Sequence, residues 1–365
     1  MDLFPSKRRA EFTADITLNN EKGADTLFFN TKDFVQLSNV KLNGQELTMG
    51  KGDVEQNLTA YPIPSTLQKD SVLQLSLVGS KQYVGFVQSD FQADLTKKGS
   101  FGSLQDFLPV KGYDSDKELL ENRKRQEQGL ERLDSRMATV DNAFALTQNV
   151  FATDADWVTG KIIISTEEGQ IPFTAGALQK METEDGRTTS IYTIKKPQVF
   201  NWQVGSSDYS VGKGKAGNID YSILHKPTHS FNVDLYQEAL KKGVAFMQTN
   251  FGANSVDNQL QLVEIHRWQD DRYTFANTIA LSEKEGWVAD TEGLQEKAYL
   301  YQTIGSGLAK LWLQKNLTIA NVQGADMLTI GLPEALGLLY VKNEIGGEAV
   351  ISLSRKVGKV WQGQK

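Results

Sequence analysis

The hydrophobic pattern of this chain changes period once, and that change limits the fold more than any single motif. From Arg9 to about Leu224, apolar and polar side chains alternate. Arg9-Ala-Glu-Phe-Thr-Ala-Asp-Ile-Thr-Leu18 and Val72-Leu-Gln-Leu-Ser-Leu-Val78 show the two-residue period of half-buried strands. Asn43-Gly44 and Asp185-Gly186 sit between such runs and predict tight hairpins, because both central residues of the favoured turn need positive φ. Short strands with frequent turn signals predict an antiparallel saddle or sandwich. From Phe231 the spacing becomes helical. Leu235, Ala239, Leu240, Phe246 and Met247 share a face, with Asn232 as the expected N-cap and Gly252 as the stop. Leu260–Trp268 reads as a strand again, and two helical stretches follow over Glu296–Asn316 and Val322–Glu344. The expected class is α+β, with a β-rich domain over 1–226 and an α-rich one over 227–365. The charged run Asp114–Arg136 holds too few apolar residues to bury and is expected to be a solvated helix or loop.

Composition removes several functions. Hydrophobic residues make up 39%, enough for real cores, and the formal net charge of -6 argues against a basic nucleic-acid binder. With no Cys there is no disulfide, thiolate metal site or Cys nucleophile. Any His chemistry must use His225, His229 or His266. No stretch reaches the ~18 consecutive apolar residues of a membrane-spanning helix. The opening residues do not read as a natural protein start, so the chain is expected to be a piece of a longer one.

Local motifs are weak. Gly212-Lys-Gly214-Lys-Ala-Gly217 matches G-x-G-x-x-G, but both flanks are strand-like, and a dinucleotide site needs a helix N-terminus after the glycines. A Gly-rich hairpin is the expectation. Asp154 and Asp156 alone cannot supply the six to eight oxygens that Ca²⁺ takes. His266 alternates with Glu264 on a candidate strand and reads as structural. There is no G-x-S-x-G elbow and no P-loop.

The last third carries a resemblance. Phe275-Ala-Asn-Thr-Ile-Ala-Leu-Ser-Glu-Lys-Glu-Gly-Trp287 and Ile319-Ala-Asn-Val-Gln-Gly-Ala-Asp-Met-Leu328 resemble aminopeptidase N-like zinc peptidases. The variant they most resemble is the extracytoplasmic peptidase-like region of large bacterial ABC transporter permease proteins. Weaker similarity runs through Pro5–Glu11, Leu108–Tyr113, Asp154–Trp157 and Ala177–Lys180. The resemblance implies a C-terminally truncated, thermolysin-like α/β domain after the β domain.

It also implies where zinc chemistry would sit. The family's H-E-x-x-H motif puts two His ligands and a general base on one helix. Here those positions are Ser306, Gly307 and Lys310, and the third ligand falls at Thr329 or Ile330. None offers a zinc ligand, and a Lys ammonium repels a cation. Pro333 is expected to kink or restart the following helix near Leu332. Ala280–Gly286 is similar to the family's G-A-M-E-N-x-G segment, which puts Glu283 at the amine-holding Glu, on an edge strand Phe275–Glu283 that pairs with substrate. Glu283 and Asn277 are the implied substrate-binding residues. The implied function is a non-catalytic, periplasmic part of a permease system, not an enzyme, with no cofactor. It would bind or scaffold a peptide, a partner-protein segment or other parts of a membrane transporter. The alternatives are an active metallopeptidase or a non-zinc hydrolase using the same cleft.

Overall fold

The computed structural model describes residues 1–20, 23–32, 34–50, 58–64, 69–83, 95–111, 119–133, 137–151, 157–252, 257–266 and 272–362. The β-rich part runs through β1 (Asp2–Phe4), β2 (Arg9–Asn20), β3 (Thr26–Asn30), β4 (Val35–Leu42), β5 (Gln45–Glu46), β6 (Leu58–Pro62) and β7 (Ser71–Gln82). It continues through β8 (Ser100–Ser103), β9 (Val110–Lys111), β10 (Trp157–Glu167), β11 (Ile171–Thr174), β12 (Ala177–Glu184), β13 (Arg187–Val199) and β14 (Gln203–Ser207). One sheet has the order β12-β13-β10-β1-β2-β7-β4-β5, antiparallel except where β1 lies parallel to β10. Two smaller sheets, β11-β14-β8 and β6-β3-β9, accompany it. The alternation decides which face is covered: Leu73, Leu75 and Leu77 of β7 are buried, while Val72 and Val78 face outward.

Both hairpin signals hold. Asn43 and Gly44 have φ of 49° and 81° between paired Leu42 and Gln45, and Asp185 and Gly186 have 50° and 73° between Glu184 and Arg187. In the charged run, a short helix α1 (Asn122–Glu127) buries no residue, while 114–118 and 134–136 lie outside the described residues. So do Asp154 and Asp156.

The second part comprises β15 (Ser210–Ala216), β16 (Ile219–His225), α2 (Val233–Phe251), β17 (Gln259–Ile265), β18 (Arg272–Phe275) and β19 (Thr278–Ser282). Helices α3 (Leu294–Asn316), α4 (Leu332–Glu344) and α5 (Gly347–Gln362) complete it. The sheet order is β15-β16-β17-β19-β18, with β16, β17 and β19 parallel and the two outer strands antiparallel. Gly212–Gly217 belongs to the β15–β16 hairpin and precedes no helix, so it is not a dinucleotide loop. The sheet reaches back to Ser210, so the expected division after residue 226 falls behind its first two strands.

This sheet is buried on both faces, which explains its near-continuous apolar strands. Leu260, Leu262, Ile279 and Leu281 pack with Tyr236, Leu240, Ile304 and Leu308 on the helical side. Val263, Ile265, Phe275 and Ala280 share a second core with Phe101, Phe173 and Trp202 of the β-rich part. Leu300, Ile304, Leu308 and Leu311 form an apolar stripe on α3 that is core, with Trp312 partly buried against it. Asn232 makes no side-chain cap; its amide instead binds the carbonyls of Gly286 and Ala289, folding the loop after β19 onto α2. Among the described residues no helix is long and apolar enough to cross a membrane.

Candidate functional site

A cleft opens between β18, α3 and the start of α4, with about 430 Å³ of free space including its mouth. Its shape follows from two close approaches. A Cβ on Gly307 would meet Ile279 Cδ1 at 3.0 Å, tighter than ordinary contact, so α3 lies close against the sheet here. A Cβ on Gly337 would meet the Gln302 carbonyl at 2.8 Å, so α4 crosses α3 with backbones nearly touching. That crossing brings Glu334, in the first turn of α4, beside Ser306 of α3. Before α4 the chain takes a wide π-type turn over Met327–Gly331, and α4 begins at Leu332 with Pro333 in its first turn, as expected of a proline that lacks a donor. The approach to that turn is held by the β-rich part: Val150 N–H donates to the Ile319 carbonyl, and Gln323 N–H to that of Ala138.

The cleft is polar at its centre. Ser306 Oγ donates to Glu334 Oε1 at 2.8 Å, and Gln302 Nε2 to Glu334 Oε2 at 2.8 Å. Arg272 reaches in from β18: its Nε donates to Glu285 Oε2 at 3.0 Å, its Nη2 to the Tyr299 hydroxyl, and its Nη1 lies 3.8 Å from Glu334. Burial opposes the charge on Arg272, but Glu285, Tyr299 and Glu334 outweigh it and raise its pKa. Lys310 lies one turn beyond Ser306. Burial lowers its pKa from the ordinary lysine value, with Glu334 acting in the opposite direction. Thr274 Oγ1 and Thr303 Oγ1, of two lining residues, are buried and have no hydrogen-bond partner among the described residues.

The positions that the resemblance singled out converge here. Ser306, Gly307, Lys310, Thr329 and Ile330, separated by up to a helix and a turn in sequence, all line this cleft. Glu283 and Asn277 do not. Phe275–Glu283 is not one edge strand: Ala276, with φ of 48°, turns the chain, and β19 lies between β17 and β18. The outer strand is β18, and its Thr274 carbonyl is already bonded by Gln314 Nε2 at 3.0 Å and Asn201 Nδ2 at 3.4 Å. Asn277 ties segments together, accepting from Gly176 N–H and donating to the Gln259 carbonyl. Glu283 sits past the end of β19, 3.3 Å from His266 Nδ1. Arg272, Thr274, Thr303 and Glu334 escaped the sequence reading. Only for Glu334 was there a local signal, a Pro followed by an acid at a helix start.

No family model matches the chain, and no curated protein matches its sequence. Solved structures do match. An M1 zinc metallopeptidase from Deinococcus radiodurans superposes with a TM-score of 0.61 at 10% identity, covering 94% of this chain and 70% of that one. A point mutant from the same organism gives 0.62 at 11% identity, with the same coverage. A two-domain M1 zinc metallopeptidase mutant bound to L-arginine gives 0.61 at 11%, covering 95% of this chain and 71% of that one. The chain has the fold of these two-domain M1 peptidases. That corrects the expectation that it is not an enzyme, because the structures sharing its fold are hydrolases.

The positions that the resemblance assigns to zinc ligands carry no matching donors. Ser306 and Thr329 carry neutral hydroxyls, Gly307 no side chain, Ile330 an alkyl group and Lys310 a cation, whereas zinc takes imidazole, carboxylate or thiolate. Glu334, the carboxylate lining the cleft, already accepts from Ser306 and Gln302. Among the described residues no three His, Cys, Asp or Glu side chains converge as a ligand set.

Proposed function

We propose that this chain is the peptidase-like, extracytoplasmic region of an ABC-type permease system, with a binding or scaffolding role in which the cleft takes up a peptide or a partner-protein segment. The resemblance of Phe275–Trp287 and Ile319–Leu328 to permease-borne peptidase regions supports the context. The observation that carries the role is the cleft mouth. Ile330, 58% exposed, lines the cleft, and Met327 (76%) and Leu328 (41%) are exposed on the same turn, so apolar side chains stand beside a polar centre. Ligand sites commonly combine these features.

The absence of Cys makes a clean test available. In the full-length gene product, Met327→Cys should react with a membrane-impermeant maleimide applied from outside the cytoplasmic membrane. A photo-crosslinker at Ile330 should capture a permease subunit or a peptide, and one at exposed Leu120 should not. Labelling only after lysis of that membrane would remove the location, and equal capture at both positions would remove the cleft's role. A hydrolase in the same cleft is the competing reading, drawn from the fold neighbours. Turnover of aminoacyl-anilides that is lost in Ser306→Ala or Glu334→Ala would replace binding with catalysis.

A further inference from the structure

The cleft has more hydrogen-bond donors than its own residues can use. A lysine ammonium only donates, and Lys310 makes no hydrogen bond or ion pair among the described residues. Thr303, 2% exposed, and Thr274, 9% exposed, belong to the same lining, and among the described residues their buried hydroxyls have no partner. A buried polar atom without a partner costs about 1–3 kcal/mol, so two beside an unpaired cation mark a place that a ligand completes. The acceptors present are committed. Both oxygens of Glu334 are bonded within the protein, and Glu285 is bonded to Arg272 and Tyr299.

We propose that this cleft is a carboxylate site, in which the Lys310 ammonium supplies the charge and the Thr303 and Thr274 hydroxyls supply further donors, so that a bound segment is anchored by an acidic side chain or a free C-terminus. The inference rests on the reading that the cleft receives such a segment, and it names what the segment must carry. An amine-bearing ligand meets the opposite situation: Lys310 and Arg272 repel it, and Glu334 would have to release Ser306 or Gln302. A carboxylate brings the missing acceptors and the opposite charge, and charge-assisted hydrogen bonds are the stronger kind. Glu334 opposes the incoming anion, and Arg272, 3.8 Å away, offsets that opposition.

Calorimetric titration of the chain with three N-acetylated hexapeptides tests this. One has a free C-terminus, one is amidated and carries a single Glu, and one is amidated and neutral. At least one acidic probe should bind roughly tenfold or more tightly than the neutral one, and which of the two does so identifies the source of the carboxylate. Lys310→Met should abolish the preference. A preference that survives in Lys310→Met overturns the proposal. Binding of all three peptides without preference removes the carboxylate anchor but keeps the segment-binding reading; binding of none removes both. A second measurement needs no variant. In wild-type protein labelled at lysine ¹³Cε, the Lys310 signal should titrate at higher pH when the preferred probe is saturating. An unchanged titration would also overturn the assignment.

Discussion

Two polar clusters of the same mixed sheet are treated in opposite ways. At the ends of β17 and β19, Glu264 is 1% exposed and fully engaged: Lys226 N–H donates to its Oε2 at 2.7 Å, and His229 Nδ1 bonds its Oε1. Next to it, Glu283 faces His266. At the other side, between β18, α3 and α4, the Thr303 and Thr274 hydroxyls beside Lys310 lack partners among the described residues. Burial costs both clusters, but only the first recovers the cost within the protein. The contrast separates architecture from a site: polar groups that hold the chain together are paired, and those left unpaired await something else.

The largest expected effect breaks the paired cluster. Glu264→Ala strands the Lys226 N–H and His229, and should lower stability by about 3–5 kcal/mol, the usual result of removing one partner of a buried pair. Urea denaturation measures it. If Glu334→Ala in the cleft costs as much, the two clusters do not differ. Next, rebuilding the motif's acid with Gly307→Glu should cost about 1–3 kcal/mol by overpacking against Ile279. An unchanged urea midpoint would mean that the helix is not pinned to the sheet there. Smaller still, Thr303→Val replaces an unpaired hydroxyl with a methyl and should stabilise the free protein by about 1 kcal/mol. A loss of similar size would reveal a partner for that hydroxyl.

The pH responses should differ in sign. Burial, opposed by Lys226 N–H and His229 and reinforced by Glu283, raises the pKa of Glu264. Its contribution is therefore complete below the unfolded carboxylate range and is lost as pH rises through the folded value. The advantage of wild type over Glu264→Gln should shrink from about pH 4–5 upward. Lys310 is lowered, so its unfolded form holds the proton to higher pH. Wild type should gain stability relative to Lys310→Met as pH rises toward about 10, the ordinary lysine range. Parallel curves in either comparison would remove that group from the pH dependence.

What the sequence made readable was local. Turns that need positive φ at Asn43-Gly44 and Asp185-Gly186, and the apolar stripe of α3, announce themselves over a few residues. The run Phe275–Ser282 misled because β18 and β19 are both apolar, and the turn between them rests on Ala276 and Asn277 without a glycine. The cleft was half-visible. Its α3 positions came through the resemblance, but Arg272 and Glu334 enter from a strand and a helix that meet only after the sheet has formed and α4 has crossed α3. No periodicity encodes that convergence. The charges facing Lys310 had to be read from the fold.

The most direct test of the central claim, that this cleft completes itself with a carboxylate-bearing segment, is the thermal unfolding of wild type with a saturating acidic hexapeptide and, separately, with stoichiometric Zn²⁺. A ligand at about one hundred times its Kd stabilises the folded state by about 2.7 kcal/mol. The melting temperature should rise by several degrees with the peptide, stay level with zinc, and stay level with the peptide in Lys310→Met. A rise with zinc and none with the peptide would contradict the account.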